Sequence, residues 1–195
     1  MILRALPEDA VVVSTTGMIS REVYETRERL GQGHEHDFLT VGSMGHALMI
    51  ALGIARAQPE RKVVCIDGDG ASLMHMGNMA IAGKSLCGNL LHVVLNNAAH
   101  DSVGGQPTVG NDIDLMEVAE ALGYEVCYPS MKNFWRATDC DRLADLMRQI
   151  DYFGEHGNLP RFMEIKVAKG ARKDLGRPKE PPQVNKALFM RTLQG

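Results

Sequence analysis

The sequence predicts an α/β fold in which about six parallel strands form a sheet with helices on both faces. Short apolar, β-branched runs alternate along the chain with longer segments of helical periodicity, which is the pattern of strand–helix units. The runs at residues 63–66 and 91–95 are mostly apolar and show no alternation of polar and apolar positions. That feature is typical of central strands in a parallel sheet, because both of their faces are covered.

The other elements follow the same alternation. Further strands are predicted at residues 10–13, 125–127 and 161–167. Helices are predicted at residues 20–30, 45–56, 73–84, 112–122 and 139–150. In the last of these helices, Leu143, Leu146, Met147 and Ile150 have the i, i+3, i+4, i+7 spacing of a single helix face.

A change in composition at residue 170 divides the chain. Residues 1–169 are predicted to form the α/β domain. Residues 170–195 begin as a basic, Gly- and Pro-rich arm and end in a short helix near residues 185–193. An arm of this kind is a candidate lid over an active site.

Composition excludes several classes of protein. The 195 residues are 45% hydrophobic with a net charge of -3, which favours a folded chain over a disordered one. Lys and Arg (21) do not exceed Asp and Glu (24), so we expect no nucleic-acid partner. No apolar run reaches the ~18 residues of a membrane span, and the first ten residues lack a secretory pattern. Four scattered cysteines fit free thiols, so we expect a cytoplasmic protein without a membrane partner.

Polar and glycine-rich segments follow three of the predicted strands. These segments are residues 14–17, 67–72 and 96–101. Ligands of open parallel sheets bind beyond the carboxyl ends of the strands. The sequence therefore predicts that the binding site is built from these three segments.

The segment Gly68, Asp69, Gly70 suggests a diphosphate held through a cation. Glycines allow the backbone to approach a ligand, and the start of the helix that follows, near Ala71, suits a phosphate. Asp69 would repel that phosphate unless a cation lay between them, and Asp and Asn side chains are ligands of the kind that Mg²⁺ takes. The alternative is a tight turn in which Asp69 binds only backbone. A dinucleotide site is disfavoured because the third glycine is missing.

The spacing of two motifs resembles the signature of thiamine-diphosphate enzymes. Residues 68–70 read GDG, and 25 residues (71–95) separate them from Asn96 and Asn97. Residues 37–47, 96–108 and 169–178 more narrowly resemble phosphonopyruvate decarboxylases, and more loosely sulfopyruvate decarboxylases. The resemblance implies a thiamine-diphosphate-binding fold with thiamine diphosphate and Mg²⁺ as cofactors.

The resemblance also implies roles for individual residues. The Mg²⁺ ligands would be Asp69, Asn97 and the carbonyl of Ala99. The diphosphate would contact Thr16, Gly17, Gly68, Gly70, Ala71 and Ser72. Gly42 would accept a hydrogen bond from the aminopyrimidine, and Met44 would support the ring from below; the alternative for Met44 is a core filler.

The implied reaction is decarboxylation of 3-phosphonopyruvate to phosphonoacetaldehyde and CO₂. Arg172, Lys173 and Arg177 on the arm are candidates to bind the phosphonate, with Ser20 and Arg21 as a second option. His100 could relay protons, and Asp101 beside it is a second catalytic candidate. Each of these residues has a simpler alternative as a surface charge or a structural group.

Several functional alternatives stay open. Ala98 stands where the family has Gly, and Met18 and Ile19 stand where a more polar pair is usual, which leaves the substrate open. Sulfopyruvate decarboxylase is the first alternative. A carboligase, a non-catalytic partner subunit and a nucleotide-binding module are the others.

The resemblance covers only the diphosphate-binding half of these enzymes. In the family, a Glu on a separate pyrimidine-binding domain activates the cofactor. A chain of 195 residues is predicted to form one such domain, so we expect a second polypeptide to supply the Glu, together with self-association. The alternative is that the sequence is a fragment of a longer chain.

Overall fold

The computed structural model describes residues 2–127 and 157–194, so the predicted helix at residues 139–150 lies outside the described part. The strands are β1 (Val11–Ser14), β2 (Asp37–Leu39), β3 (Val63–Gly68), β4 (Leu90–Asn96), β5 (Ala99–His100), β6 (Gln106–Pro107), β7 (Glu125–Val126) and β8 (Arg161–Lys166). Six of them form one parallel sheet in the order β2-β1-β3-β4-β8-β7, and β5 pairs with β6 in a small antiparallel ribbon. The predicted fold class is confirmed.

The helices of the described residues match the predicted ones except that the first, Ile2–Ala5, was not predicted and that one predicted helix is divided in two. They are α1 (Ile2–Ala5), α2 (Met18–Leu30), α3 (Ala47–Ala57), α4 (Asp69–Met74), α5 (Gly77–Gly83), α6 (Leu115–Leu122) and α7 (Pro182–Gln194). The single helix predicted at residues 73–84 is wrong, because the backbone leaves the helical conformation at His75 and divides this region into α4 and α5. None of the described helices has both the length and the apolar character that crossing a membrane requires.

Strand β2 was not predicted. It contains only three residues, too few to show a hydrophobic period, and it lies at the edge of the sheet beside β1. Its position has consequences for the site, since the chain leaving its carboxyl end carries the predicted Gly42 and Met44.

The two faces of the sheet are covered by different helices. Side chains of alternate strand residues, such as Val11 and Cys65, pack with α3, α5, α6 and Phe189 of α7. The residues between them, such as Val12 and Val64, pack with α1 and α2. This arrangement confirms that helices lie on both faces of the sheet.

The C-terminal arm lies along α2 and ends in contact with β2. Lys179 Nζ donates to Glu28 Oε2 at 2.7 Å on α2. Asn185 then hydrogen-bonds the edge strand, accepting from Leu39 N at 3.1 Å and donating to Asp37 O at 2.9 Å. The arm is therefore joined to the domain along its length.

Candidate functional site

A cavity of about 400 Å³ opens at the carboxyl ends of β1, β3, β4 and β8. The predicted site residues that line it are Thr16, Met44, Gly68, Asp69, Gly70, Ala71, Asn97, Ala99, His100 and Asp101. Parallel pairing explains the convergence, because β3 and β4 are neighbours in register, with Gly68 opposite Leu95, and the two polar loops therefore leave the sheet side by side.

Asp69 begins helix α4 at the floor of this cavity. Its side chain is buried, with the residue only 2% exposed, and the hydroxyl of Thr108 donates a hydrogen bond to Oδ2. Gly70, the next residue, lies directly against His100, since an added Cβ would lie 2.3 Å from Cε1 and the ring would have to shift. The turn and the His100 ring are thus packed against each other without space for a side chain.

Asn97 lies across from Asp69 at the end of β4. Its Oδ1 accepts from Ala99 N at 3.0 Å and its Nδ2 donates to Asp101 Oδ2 at 2.6 Å, so both ends of the amide are oriented. Ala98 has a φ of 52°, in the left-handed region that favours glycine. The departure from the family glycine at this position therefore carries backbone strain.

The residues present fit a hard divalent cation with a diphosphate. Asp69 supplies a carboxylate and Asn97 an amide oxygen beside the backbone of Ala99, and oxygen donors of this kind suit Mg²⁺. Helix α4 has six residues, and the free N–H groups of its first turn are the ones that could meet an anion. Gly45 allows a close approach to that turn, because a Cβ there would lie 2.8 Å from the carbonyl oxygen of Ala71.

Three of the predicted cofactor residues lie just outside the cavity lining of the described structure. The Ser72 hydroxyl donates to Asp67 Oδ2 at 3.3 Å, and so serves the turn itself. Gly42 donates its N–H to Thr16 Oγ1 at 3.0 Å. Gly17 packs on Ser102, where an added Cβ would lie 2.9 Å from Ser102 Cβ. Their roles in cofactor binding stay predictions.

The predicted substrate residues are not brought to the cavity. Ser20 is buried, and its hydroxyl contacts Ser14 Oγ at 2.9 Å and the Thr15 carbonyl at 2.7 Å. Within the part of the chain that the structure describes, the cavity lining also lacks Arg21, Lys173 and Arg177. The geometry does not favour a substrate role for these residues, which remains a prediction.

Arg172 forms ion pairs with acidic side chains. Its guanidinium pairs with Glu22 at 3.3 Å and Asp174 at 3.4 Å, and also with Glu25, which holds the pKa of Arg172 above its usual range. The same contact is the main reason that the pKa of Glu25 falls to about 2. The positive charge of Arg172 is therefore directed to the surface of α2.

The two catalytic candidates do line the cavity. Asp101 Oδ2 accepts from Asn97 Nδ2 and, at 2.7 Å, from the backbone N–H of Gly170, so it joins the loop after β4 to the arm. His100 lies against Gly70. Their catalytic roles stay predictions.

Helix α2 supplies a wall of the cavity, of which the sequence analysis singled out only Met18 and Ile19 at the start of the helix. Ile19, Glu22, Val23 and Thr26 line the cavity at i, i+3, i+4 and i+7 of one helix face. That spacing was visible in the sequence. Nothing in the sequence, however, indicated that this face, rather than another, turns toward the strand ends.

Thr15 is a second missed residue. It lines the cavity and is buried, and its hydroxyl has no hydrogen-bond partner among the described residues. Buried hydroxyls normally have a partner, so the orphaned group fits contact with a ligand. The sequence signal was its position beside Thr16 at the end of the first strand.

A separate group of Cys65, Asp67 and His92 lies buried beneath the site. Burial raises the pKa of the Cys65 thiol well above its usual range. Asp67 is engaged by the turn that follows β3, since its carboxylate accepts from Gly68 N at 3.0 Å and from Ser72 Oγ at 3.3 Å. We therefore assign the group to the packing of β3 against β4.

The fold and this site define a class of protein. Residues 15–157 match the family model of the thiamine pyrophosphate enzyme C-terminal TPP binding domain, and the chain belongs to this family. The resemblance seen in the sequence is thereby confirmed.

Relatives within this class include decarboxylases. The chain is 40% identical over 181 residues to a phosphonopyruvate decarboxylase of Streptomyces viridochromogenes, covering 93% of this chain and 41% of that protein. It is 41% identical over 119 residues to the sulfopyruvate decarboxylase subunit beta of Methanothermobacter thermautotrophicus, covering 61% of each. A solved thiamine diphosphate-dependent 4-hydroxybenzoylformate decarboxylase of Rhodococcus jostii shares the fold, with a TM-score of 0.59 and 18% identity over 85% of this chain and 31% of that one. The chain thus spans about two fifths of the phosphonopyruvate decarboxylase it matches.

Proposed function

We propose that this chain is the Mg²⁺-dependent cofactor-binding part of a cytoplasmic decarboxylase that converts 3-phosphonopyruvate to phosphonoacetaldehyde and CO₂. The observation that carries the proposal is the cavity in which Asp69, Asn97 and Ala99 meet the first turn of α4. A carboxylate at the start of a phosphate-binding turn is reasonable only if a cation neutralises it.

The residues of the chain would bind and orient the cofactor. Asp69 and Asn97 would hold Mg²⁺, the backbone of Gly70 and Ala71 would meet the diphosphate, and Met44 would support the ring. Bound thiamine diphosphate supplies a cationic ring that accepts the electrons left when CO₂ departs. The carbon that loses CO₂ must gain a proton, and His100 in the cavity lining is the candidate donor.

We propose phosphonopyruvate rather than sulfopyruvate as the substrate because the sequence similarity to the phosphonopyruvate decarboxylase extends over more of the chain. The match to the phosphonopyruvate decarboxylase extends over 93% of the chain, against 61% for the sulfopyruvate decarboxylase subunit. A phosphonate needs cations or several donors. Lys173 and Arg177 on the exposed arm are the candidates, and Arg172 would join them only by leaving Glu22 and Glu25.

A second chain is proposed to complete the site. Exposed apolar side chains lie in the segments that follow the carboxyl ends of β2, β3 and β4, where a pyrimidine-binding chain would dock: Val41, Met74, Val103 and Val109. The relative from Methanothermobacter is named a subunit, which is consistent with a site divided between chains. Self-association of this chain forms part of the same proposal.

The test is CO₂ release from 3-phosphonopyruvate with Mg²⁺ and thiamine diphosphate. The chain is assayed alone and with a pyrimidine-domain chain from the same organism. Activity only in the mixture supports the shared site. Activity of this chain alone contradicts it, and loss of that activity in Glu22→Gln would then identify Glu22 as the activating carboxylate. Turnover of sulfopyruvate with no turnover of phosphonopyruvate would transfer the proposal to the alternative substrate.

A further inference from the structure

The segment from Thr108 to Gly110 closes over Asp69 from a different part of the chain. Thr108 follows β6, and its hydroxyl donates to Asp69 Oδ2. The backbone N–H of Gly110 donates to the same Thr108 oxygen at 3.1 Å, and Thr108 N donates to Ala98 O at 3.1 Å. The hydroxyl is therefore held with its proton directed to the carboxylate.

Gly110 is fixed from the opposite side. Its carbonyl accepts from Asn96 Nδ2 at 2.6 Å and from Lys166 Nζ at 3.0 Å. A Cβ at Gly110 would lie 2.7 Å from Asp69 Oδ2 and 2.8 Å from Asn96 Oδ1. Only glycine fits between the carboxylate and the amide, so a larger residue would displace either the segment or Asp69.

We propose that Thr108 and Gly110 are positioning residues that set the divalent-cation affinity of the site by fixing the Asp69 carboxylate. The inference rests on the proposed role of Asp69 as a metal ligand. With Thr108 holding one oxygen, rotation of the carboxylate is restricted, and the ligand is oriented before the cation arrives. Groups that orient a metal ligand in this way typically contribute 10- to 100-fold to metal affinity.

The test is a cation titration of the full chain with thiamine diphosphate and the pyrimidine-domain chain of the activity assay present. Mn²⁺ replaces Mg²⁺, and free Mn²⁺ is read from its electron paramagnetic resonance signal, so activity is not needed. Thr108→Val should raise the Mn²⁺ dissociation constant about 10- to 100-fold. Thr108→Ser retains the hydroxyl and should stay within about threefold of the original chain, because the hydrogen bond is kept.

Glycine variants give an independent measurement. Gly110→Ala should weaken Mn²⁺ binding to a similar extent. Gly53→Ala is the matched control, because Gly53 lies in α3 with nothing within 4 Å of an added Cβ. The Mn²⁺ affinity of this variant should not change. The melting temperature of each chain without ligands shows whether the variant is folded.

The outcomes separate the two proposals. In the first outcome, the original chain binds Mn²⁺ and thiamine diphosphate, and a folded Thr108→Val variant binds Mn²⁺ with the same affinity. The proposed positioning role is then wrong, and the proposed metal site is kept. If the original chain mixed with the pyrimidine-domain chain shows no cation-dependent binding, the metal site is wrong and the inference is wrong with it. Weaker binding in both Thr108→Val and Gly110→Ala, with Thr108→Ser and Gly53→Ala unaffected, supports the inference.

Discussion

Replacing Asp69 by Asn tests the charge at the centre of the proposed site. The amide keeps the size of the side chain, and its oxygen can still accept the hydrogen bond from the Thr108 hydroxyl. Asp69 is buried at the floor of the cavity, so solvent would not replace the lost charge when a cation binds. We expect the fold to persist and the cation-dependent binding of thiamine diphosphate to be lost.

The expected shift in melting temperature follows from the coupling between ligand binding and folding. A ligand present at about 100 times its dissociation constant stabilises the folded state by ~2.7 kcal/mol. For a chain of about 150–250 residues, 1 kcal/mol corresponds to a shift of roughly 2–4 °C in melting temperature. The original chain should therefore gain about 5–11 °C with Mg²⁺ and thiamine diphosphate. Asp69→Asn should gain no more than ~0.4 kcal/mol, because its affinity is expected to fall by more than 100-fold and the ligand would then no longer exceed its dissociation constant.

The assay is a thermal unfolding series with four conditions for each chain. The conditions are no ligand, Mg²⁺ alone, thiamine diphosphate with a chelator, and both ligands together. A full shift in Asp69→Asn with both ligands would refute the assignment of Asp69 as a cation ligand. An equal shift with the chelator present in the original chain would refute the requirement for a cation.

Two further predictions concern the contacts that hold α2, one wall of the cavity. Arg27 and Asp37 form a buried ion pair at 3.0 Å. Arg27→Met should lower the free energy of unfolding by about 3–5 kcal/mol, because the Asp37 carboxylate would stay buried without its partner. A denaturant titration measures this loss, and an unchanged midpoint would contradict the prediction. Arg172 lowers the pKa of Glu25 from 4.5 to about 2, so the stabilising contact is present above pH 4.5 and is lost as the pH falls toward 2. Hydrogen exchange of the amides at residues 170–178, corrected for intrinsic rates, should rise over that range, and Glu25→Gln should remove the dependence on pH.

The convergence of the metal candidates could be predicted from sequence for a simple reason. Residues 63–66 and 91–95 carry the continuous apolar pattern of buried parallel strands, so the residues that follow them emerge at one edge of a sheet. The two strands are adjacent and in register, which brings Asp69 and Asn97 to the same cavity. The hydrophobic pattern thus located the candidate ligands before any geometry was known.

The surroundings of these ligands could not be predicted in the same way. Thr108 is separated from Asp69 by 39 residues, and Arg172 from Glu25 by 147, and no periodic pattern connects either pair. A basic arm predicts only that acidic side chains will attract it, and this chain has 24 of them. For that reason the sequence analysis proposed Arg172 as a substrate-binding residue, whereas in the structure it forms ion pairs with acidic residues of α2.

Asp101 connects the C-terminal arm to the loop after β4 that carries Asn97. A single carboxylate oxygen, Oδ2, accepts from Asn97 on the loop after β4 and from the backbone of Gly170 at the start of the arm. The Asn97 amide in turn holds Ala99 N through its other end. Displacement of the arm at Gly170 would therefore leave Asp101, which holds the Asn97 amide, with one fewer donor. The position of the arm is therefore connected to the proposed cation ligand Asn97 through this one side chain, whether or not a basic residue of the arm reaches the proposed substrate.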